Sequence, residues 1–242
     1  PDAPDRRSGG ADAAADSDSD VYAAAAGGVA GAVARRPDRL TPHTCQSAYL
    51  AITFLDAPMP TATLADLTRV AENGKAELVH DQLLLMSPTG FLPGYAASEV
   101  YASLREYGRR TRSGFAIADN TGFVVNLPNR RSFSPDAAFF VGKPSGMRFL
   151  EGAPIFAVEV RGEGDYGPTA EAEMSAKRAD YFAAGTLVVW DVDLLIEGVV
   201  RAYRPDAPNQ PIIYRRGDVA AAEPAVPGWS MLVEGLFPYF VE

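Results

Sequence analysis

Four segments between Ser134 and Asp193 decide the fold. They read Ser134-Pro135-Asp136-Ala137-Ala138-Phe139-Phe140-Val141, Pro154-Ile155-Phe156-Ala157-Val158-Glu159-Val160-Arg161, Ala176-Lys177-Arg178-Ala179-Asp180-Tyr181-Phe182-Ala183-Ala184-Gly185 and Leu187-Val188-Val189-Trp190-Asp191-Val192-Asp193. The first, second and fourth are short apolar runs of the length of buried strands. The third has helical spacing and ends on a glycine. Strand, strand, helix, strand predicts a mixed α/β domain whose sheet is covered on both faces. Two carboxylates, Asp136 and Glu159, interrupt these runs. An ionised carboxylate in apolar surroundings costs several kcal/mol or more unless it is paired, protonated or bound to a metal. Two facing one another repel, and a divalent cation relieves that repulsion. This is the outline of a metal-dependent phosphodiesterase.

Composition narrows the alternatives. The 242 residues are 47% hydrophobic and 22% charged, ordinary for a globular protein. The one cysteine, Cys45, excludes an internal disulfide and fits a reducing, cytoplasmic setting. Two histidines, His43 and His80, far apart in sequence, make a histidine-based metal centre a poor expectation. The net charge of −9 argues against a broadly basic nucleic-acid surface, but leaves room for a local basic patch or for Mg²⁺ at a phosphate.

Residues 1–58 are read as a low-complexity, disordered N-terminal segment, and 59–242 as the folded domain. Residues 1–40 are dominated by Ala, Gly, Asp, Ser and Arg, which bury too little surface to offset ordering entropy. The small apolar run from Val21 to Ala34 is too short and too weakly hydrophobic to span a membrane, and Met59 is a candidate start. Next come a short helix from Leu64 to Asn73 capped by Thr63, and a hairpin over Glu77–Met86 turning at His80-Asp81. Ser87–Gly94 is expected as a loop and Tyr95–Arg112 as a helix carrying Arg105, Arg109, Arg110 and Arg112, the densest basic cluster in the chain. Strands are expected at Phe115–Ala118, Phe123–Leu127, Val199–Tyr203 and Ile212–Tyr214, the last pair turning through Pro205–Pro211. A loop is expected over residues 142–153.

Glu159 is the strongest functional candidate, because apolar residues flank it on both faces of its strand. A strand-end carboxylate reaching solvent is the structural alternative. Asp136 alone reads equally as a Pro-Asp turn residue. Lys177 shares a helix face with Glu173 and Tyr181, so a surface Glu–Lys pair competes with a catalytic lysine. Arg161, two residues beyond Glu159 on the same strand face, is a candidate phosphate contact but cannot act as a base. Glu77, which opens its strand, could add a third carboxylate.

Taken in order, Glu77-Leu78-Val79, Met86-Ser87-Pro88, Pro135-Asp136-Ala137-Ala138-Phe139, Val158-Glu159-Val160, Lys177 with Tyr181, Ala184-Gly185 and Val189-Trp190-Asp191-Val192-Asp193 resemble the Uma-type putative restriction endonuclease family of the PD-(D/E)xK nuclease superfamily. The resemblance spans about residues 60–240. It implies a restriction-endonuclease-like core, a mixed β-sheet flanked by helices, with Mg²⁺ (Mn²⁺ as substitute) held by Asp136, Glu159 and Glu77. By the same resemblance Lys177 is the catalytic lysine displaced onto the following helix; Arg161, from its strand position, and Tyr181, beside Lys177 on its helix face, are the candidate substrate contacts. The expected activity is metal-dependent endonucleolytic cleavage of DNA, by a possible homodimer away from membranes. The chain departs from the family pattern at Leu92-Pro93-Gly94-Tyr95, where a histidine is common, and at Arg161-Gly162-Glu163-Gly164, where Ser-Pro is usual. A non-catalytic binding or scaffolding protein on the same fold, and a hydrolase of small phosphodiesters, stay open as alternatives.

Overall fold

The computed structural model describes residues 61–71 and 74–239; the expectations for residues 1–58 and Met59 lie outside them. In chain order the elements are α1 (Leu64–Ala71), β1 (Lys75–Val79), β2 (Gln82–Met86), α2 (Phe91–Thr111), β3 (Phe115–Ala118), β4 (Phe123–Val124), β5 (Ser132–Phe133), β6 (Ala137–Phe140), β7 (Leu150–Glu151), β8 (Phe156–Val160), α3 (Pro168–Ala183), β9 (Val188–Asp193), β10 (Val199–Arg204), β11 (Ala207–Arg215), β12 (Val219–Ala221) and β13 (Ser230–Leu232). A 3₁₀ turn over Val233–Leu236 follows.

A six-stranded sheet, ordered β11-β10-β9-β8-β6-β3, carries the molecule. Its neighbours are antiparallel except β8 and β9, which run parallel with Glu159 opposite Asp191. A parallel pair needs a crossover, and α3 supplies it. Gly167 (φ 95°) and Pro168 start that helix, and Gly185 (φ 102°) stops it.

Alternation along the strands divides the core into two layers. Ala137, Phe139, Phe156, Val158, Val188 and Trp190 face α2 through Val100, Leu104 and Tyr107, and face the chain end through Trp229 and Leu236. The rings of Phe156, Trp190 and Trp229 pack with centroids 5.1–5.6 Å apart. The opposite face, Ala138, Phe140, Ala157 and Val189, packs on Tyr181 of α3 and on Phe123, Phe133 and Leu150 of a small sheet ordered β5-β4-β7. By the same alternation Glu159 and Asp191 point to this second face, toward α3.

A buried ion-pair cluster ties α3 to the sheet. Arg161 donates from Nε and Nη2 to both oxygens of Asp191, at 2.6 and 2.7 Å, and also pairs with Glu171 of α3. Arg178 reaches the same Asp191 at 3.4 Å while its guanidinium stacks 4.0 Å from the ring of Tyr203. The hydrogen bonds from Arg161 to Asp191, opposed by burial, hold its guanidinium in the charged form.

Several expectations on local structure change. α2 begins at Phe91 rather than Tyr95, with Pro93 in its first turn, where a missing N–H costs nothing. Of the strand expected over Phe123–Leu127 only Phe123–Val124 forms, and it sits in the small sheet while β3 edges the large one. The β10–β11 turn is the two residues Pro205-Asp206, and Pro208 and Pro211 lie inside β11, tolerated because it is an edge strand. The loop over 142–153 contains the two-residue β7. Thr63 does cap α1: its Oγ1 accepts from Asp66 N at 3.3 Å and the Asp66 carboxylate accepts from Thr63 N at 2.9 Å. No helix of the described residues is long and apolar enough to cross a membrane.

Two substitutions test this packing. A Cβ at Gly114 would lie 2.6 Å from the Phe139 ring and 2.7 Å from Phe140 O, whereas at Gly164 it would meet nothing within 4 Å. Gly114→Ala is expected to lower unfolding stability by about 1–3 kcal/mol, and Gly164→Ala to change it by less than about 0.5 kcal/mol, both read from urea midpoints. Asp191→Ala, which strands Arg161 and Arg178, is expected to cost about 3–5 kcal/mol by the same measurement.

Candidate active site

β1 and β8, distant in sequence, meet at one lysine. The β1–β2 hairpin turns through His80 and Asp81, both at positive φ (48° and 55°), as its two-residue connection requires. It is then pinned to the segment before β5: His80 N donates to Asn129 O at 2.7 Å, Arg131 N to Leu78 O at 2.9 Å, and Leu78 N to Ser132 Oγ at 2.8 Å. That seating places Glu77 beside Ser134, whose N–H donates to Glu77 Oε1 at 2.9 Å.

Lys177 of α3 reaches down to Glu77 Oε1 at 3.0 Å and to Glu159 Oε2 at 2.8 Å. One turn later Tyr181 donates its hydroxyl to Glu159 Oε1 at 2.7 Å. Lys177 therefore pairs with the carboxylates of β1 and β8 rather than with Glu173, the structural alternative for this lysine. Arg130 binds Glu77 Oε2 through Nη1 and donates from Nε to Asp180 at 2.8 Å. It lies 5.0 Å from the Phe133 ring, which stacks 4.0 Å from that of Tyr181.

Asp136 opens β6 next to the end of β8. Its Oδ2 accepts from Val160 N at 2.8 Å and its Oδ1 from Lys75 Nζ at 2.7 Å. Lys75 also binds Asp119 Oδ1 at 2.6 Å. The site thus holds two ammonium bridges, Lys75 between Asp119 and Asp136, and Lys177 between Glu77 and Glu159. Solvent reaches 19% of the Asp136 side chain and 16% of Glu159, but only 1% of Glu77.

Electrostatics distinguish the carboxylates. Burial pushes Glu159 up to about 7, and the carboxylates of Asp136 and Glu77 add to the rise against the pull of Lys177. Burial acts on Glu77 in the same sense, but Lys177 and Arg130 outweigh it and hold its carboxyl below the usual range. Lys177 stays charged: burial opposes its charge, and Glu159 and Glu77 more than offset it. Burial and then Glu159 raise the Tyr181 phenol well above its ordinary value, so it acts as a donor.

Asp136, Glu159, Lys177, Glu77 and Tyr181 therefore converge. Their situations differ from those expected. Tyr181 is fully enclosed, so it orients Glu159 and has no access to substrate. Glu77 is enclosed too, with both oxygens engaged. Among the described residues no three His, Cys, Asp or Glu side chains form a group that could hold a metal ion. Arg161 is absorbed in its pairs with Asp191 and Glu171 and turns no free edge to the site. Arg105, Arg109 and Arg112 lie at the other end of β3, away from Asp136. Lys75, Asp119 and Arg130 were not anticipated. Lys75 had a signal, since it lies two residues from Glu77 on the same strand face.

A hard cation of the Mg²⁺ type commonly uses one or two carboxylates, waters and substrate phosphates rather than a full protein cage. Two partly exposed carboxylates on adjacent strands, one with its proton affinity raised by the other, fit that requirement.

Comparison with known proteins bears on the fold and the family. A solved structure described as a putative nuclease, from Anabaena variabilis, superposes with a TM-score of 0.56 at 14% identity, covering 71% of this chain and 96% of its own; this supports the fold alone. No curated protein matches. The family described as Uma2, putative restriction endonuclease, matches residues 62–234. With that match spanning well over half of its length, the chain belongs to the Uma2 family.

Proposed function

We propose that the chain is a Mg²⁺-dependent endonuclease that hydrolyses phosphodiester bonds in DNA, with Asp136 and Glu159 as the cation-holding pair. The observation that carries this is the position of Glu159, buried against Asp136 and Glu77 with its pKa raised to about 7. A carboxylate held so far from its ordinary state is suited to a cation rather than to fold stability alone. The bound cation would supply an activated water and charge stabilisation for the pentacoordinate phosphorus.

The chain's own side chains divide the remaining work. Val160 N–H fixes one oxygen of Asp136, and Tyr181 fixes one oxygen of Glu159. Lys177, anchored on enclosed Glu77, keeps a donor free for a phosphate oxygen, since an ammonium has three and two are used. Lys75, anchored on Asp119, stands in the same relation to Asp136. Arg130 holds Glu77 ionised.

One observation favours a second reading. The two lysines already neutralise Asp136 and Glu159, so the cluster is self-satisfied in the manner of a non-catalytic member that binds nucleic acid without cutting it. Mn²⁺ titration separates the two.

The proposal predicts Mn²⁺ binding to the full chain that disappears in Asp136→Ala/Glu159→Ala, together with a fall in DNA cleavage of about a hundredfold or more. The non-catalytic reading predicts no Mn²⁺ binding in either protein. Lys75→Met is expected to retain Mn²⁺ binding while cleavage drops by about 10–100-fold. Mn²⁺ affinity should rise about tenfold per pH unit up to about 7 and level off above it, because Glu159 must lose its proton, and Glu159→Gln should abolish that profile. Without cation, the folded state keeps a proton that the unfolded chain releases near 4.5. Glu159 therefore stabilises the fold fully below pH 4.5, and this contribution is lost as pH rises through about 7. The urea midpoint of Glu159→Gln, whose amide stands in for the protonated carboxyl, should match the parent below pH 4.5 and exceed it increasingly as pH rises toward 7.

A further inference from the structure

A cavity lies away from the carboxylates. It is a cleft of about 570 Å³ between the C-terminal half of α2 and the first residue of edge strand β3. Arg105, Arg109 and Arg112 line it, together with Tyr101, Phe115 and Val141, and no acidic side chain does. In a chain of net charge −9 this is a local reversal of sign. Among the described residues none of the three guanidiniums has a hydrogen-bond or ion-pair partner, whereas Arg130, Arg161, Arg178, Arg201 and Arg216 are all paired with carboxylates. Phe115 is 49% and Val141 57% exposed at the cleft.

The cleft is built rather than incidental. Arg112 ends α2 in the left-handed region (φ 56°), its N–H returning to Gly108 O at 2.8 Å, which turns the chain sharply into β3. Gly108 and Gly114 pack against Phe139 with no room for an extra Cβ at Gly114. The walls are therefore set by the core.

We infer that this cleft binds the phosphate backbone of a single-stranded stretch of nucleic acid, with a base against Phe115. The inference rests on the proposed nuclease reading for its choice of a polynucleotide. Arg105, Arg109 and Arg112 fall on one helix face and span about 10 Å of helix axis. Three guanidiniums set along that length can engage successive phosphates of one strand, which a lone phosphate could not do. An exposed ring beside a basic groove is the arrangement that holds unpaired bases without reading sequence. β3 links the cleft to the carboxylate site: Phe115 lies in the cleft, and Asp119, directly after Ala118, binds Lys75. Four strand residues at roughly 3.3 Å each separate them by about 13 Å, a distance that one polynucleotide strand can span.

The test is fluorescence anisotropy of a labelled 12-nucleotide oligothymidylate with the full-length Asp136→Ala/Glu159→Ala chain in EDTA, where neither cation nor cleavage contributes. Binding is expected, weakened about tenfold or more by adding Arg105→Glu/Arg109→Glu, with a salt dependence shallower by at least about 1.4 in log–log slope. Phe115→Ala should weaken it by a smaller factor, and the same oligomer annealed to its complement should lose that Phe115 contribution. The arginines are exposed, so thermal unfolding should be unchanged in the variants. Equal affinity in the arginine variant, or no binding by the parent, would overturn the inference. Competition by inorganic phosphate at equal phosphate concentration would overturn the polynucleotide assignment. Mn²⁺ binding by the chain carrying only Arg105→Glu/Arg109→Glu reports separately on the carboxylate site, so either site can fail without the other.

Discussion

The ammonium of Lys177 is the point on which the site depends. It spans Glu159 on the central sheet and Glu77 on a hairpin outside it, from a helix that exists because β8 and β9 run parallel. Two carboxylates enclosed at that depth cannot both ionise unless a charge stands between them. Lys177 is that charge for both, and Arg130 completes the neutralisation of Glu77 alone. The result is a graded set. Glu77 is fully satisfied and fixed below its ordinary range, while Glu159 is left raised to about 7, facing solvent beside Asp136. The enclosed carboxylate holds the lysine, and the exposed one keeps capacity for a ligand.

α3 must sit at a defined height on the sheet for this to work, and a second ion-pair cluster sets that height. Asp191 lies opposite Glu159 in the parallel register and receives Arg161 and Arg178, one from the strand and one from the helix. Arg178 follows Lys177 directly, so the residue that locks the helix and the residue that serves the site are neighbours in sequence pointing to different partners. Structural and functional charges are interleaved on one helix, and composition alone does not separate them.

The sequence was informative where burial conflicts with charge. Glu159 stands out because both strand faces around it are apolar, and the strand, strand, helix, strand order follows from the runs themselves. It was uninformative where partners are chosen by tertiary contact. Lys75 pairs across 61 residues with Asp136, and Arg130 across 53 with Glu77, and no local spacing encodes either. Arg161 shares a strand face with Glu159, which suggested a substrate contact, but the identity of the residue on the next strand, Asp191, decided its role. The separation of β3 and β4 into different sheets was hidden for the same reason, since a turn of Asn120-Thr121-Gly122 joins hairpin strands and unpaired strands equally well.

The central claim is that Asp136 and Glu159 together form a cation site, with Lys75 and Lys177 yielding to the ion while keeping their second carboxylates. Anomalous diffraction from crystals grown with Mn²⁺ tests it most directly. The claim predicts one manganese peak touching both carboxylates, with Lys75 still on Asp119 and Lys177 still on Glu77. Density without such a peak, with both lysines retaining their bonds to Asp136 and Glu159, would contradict it.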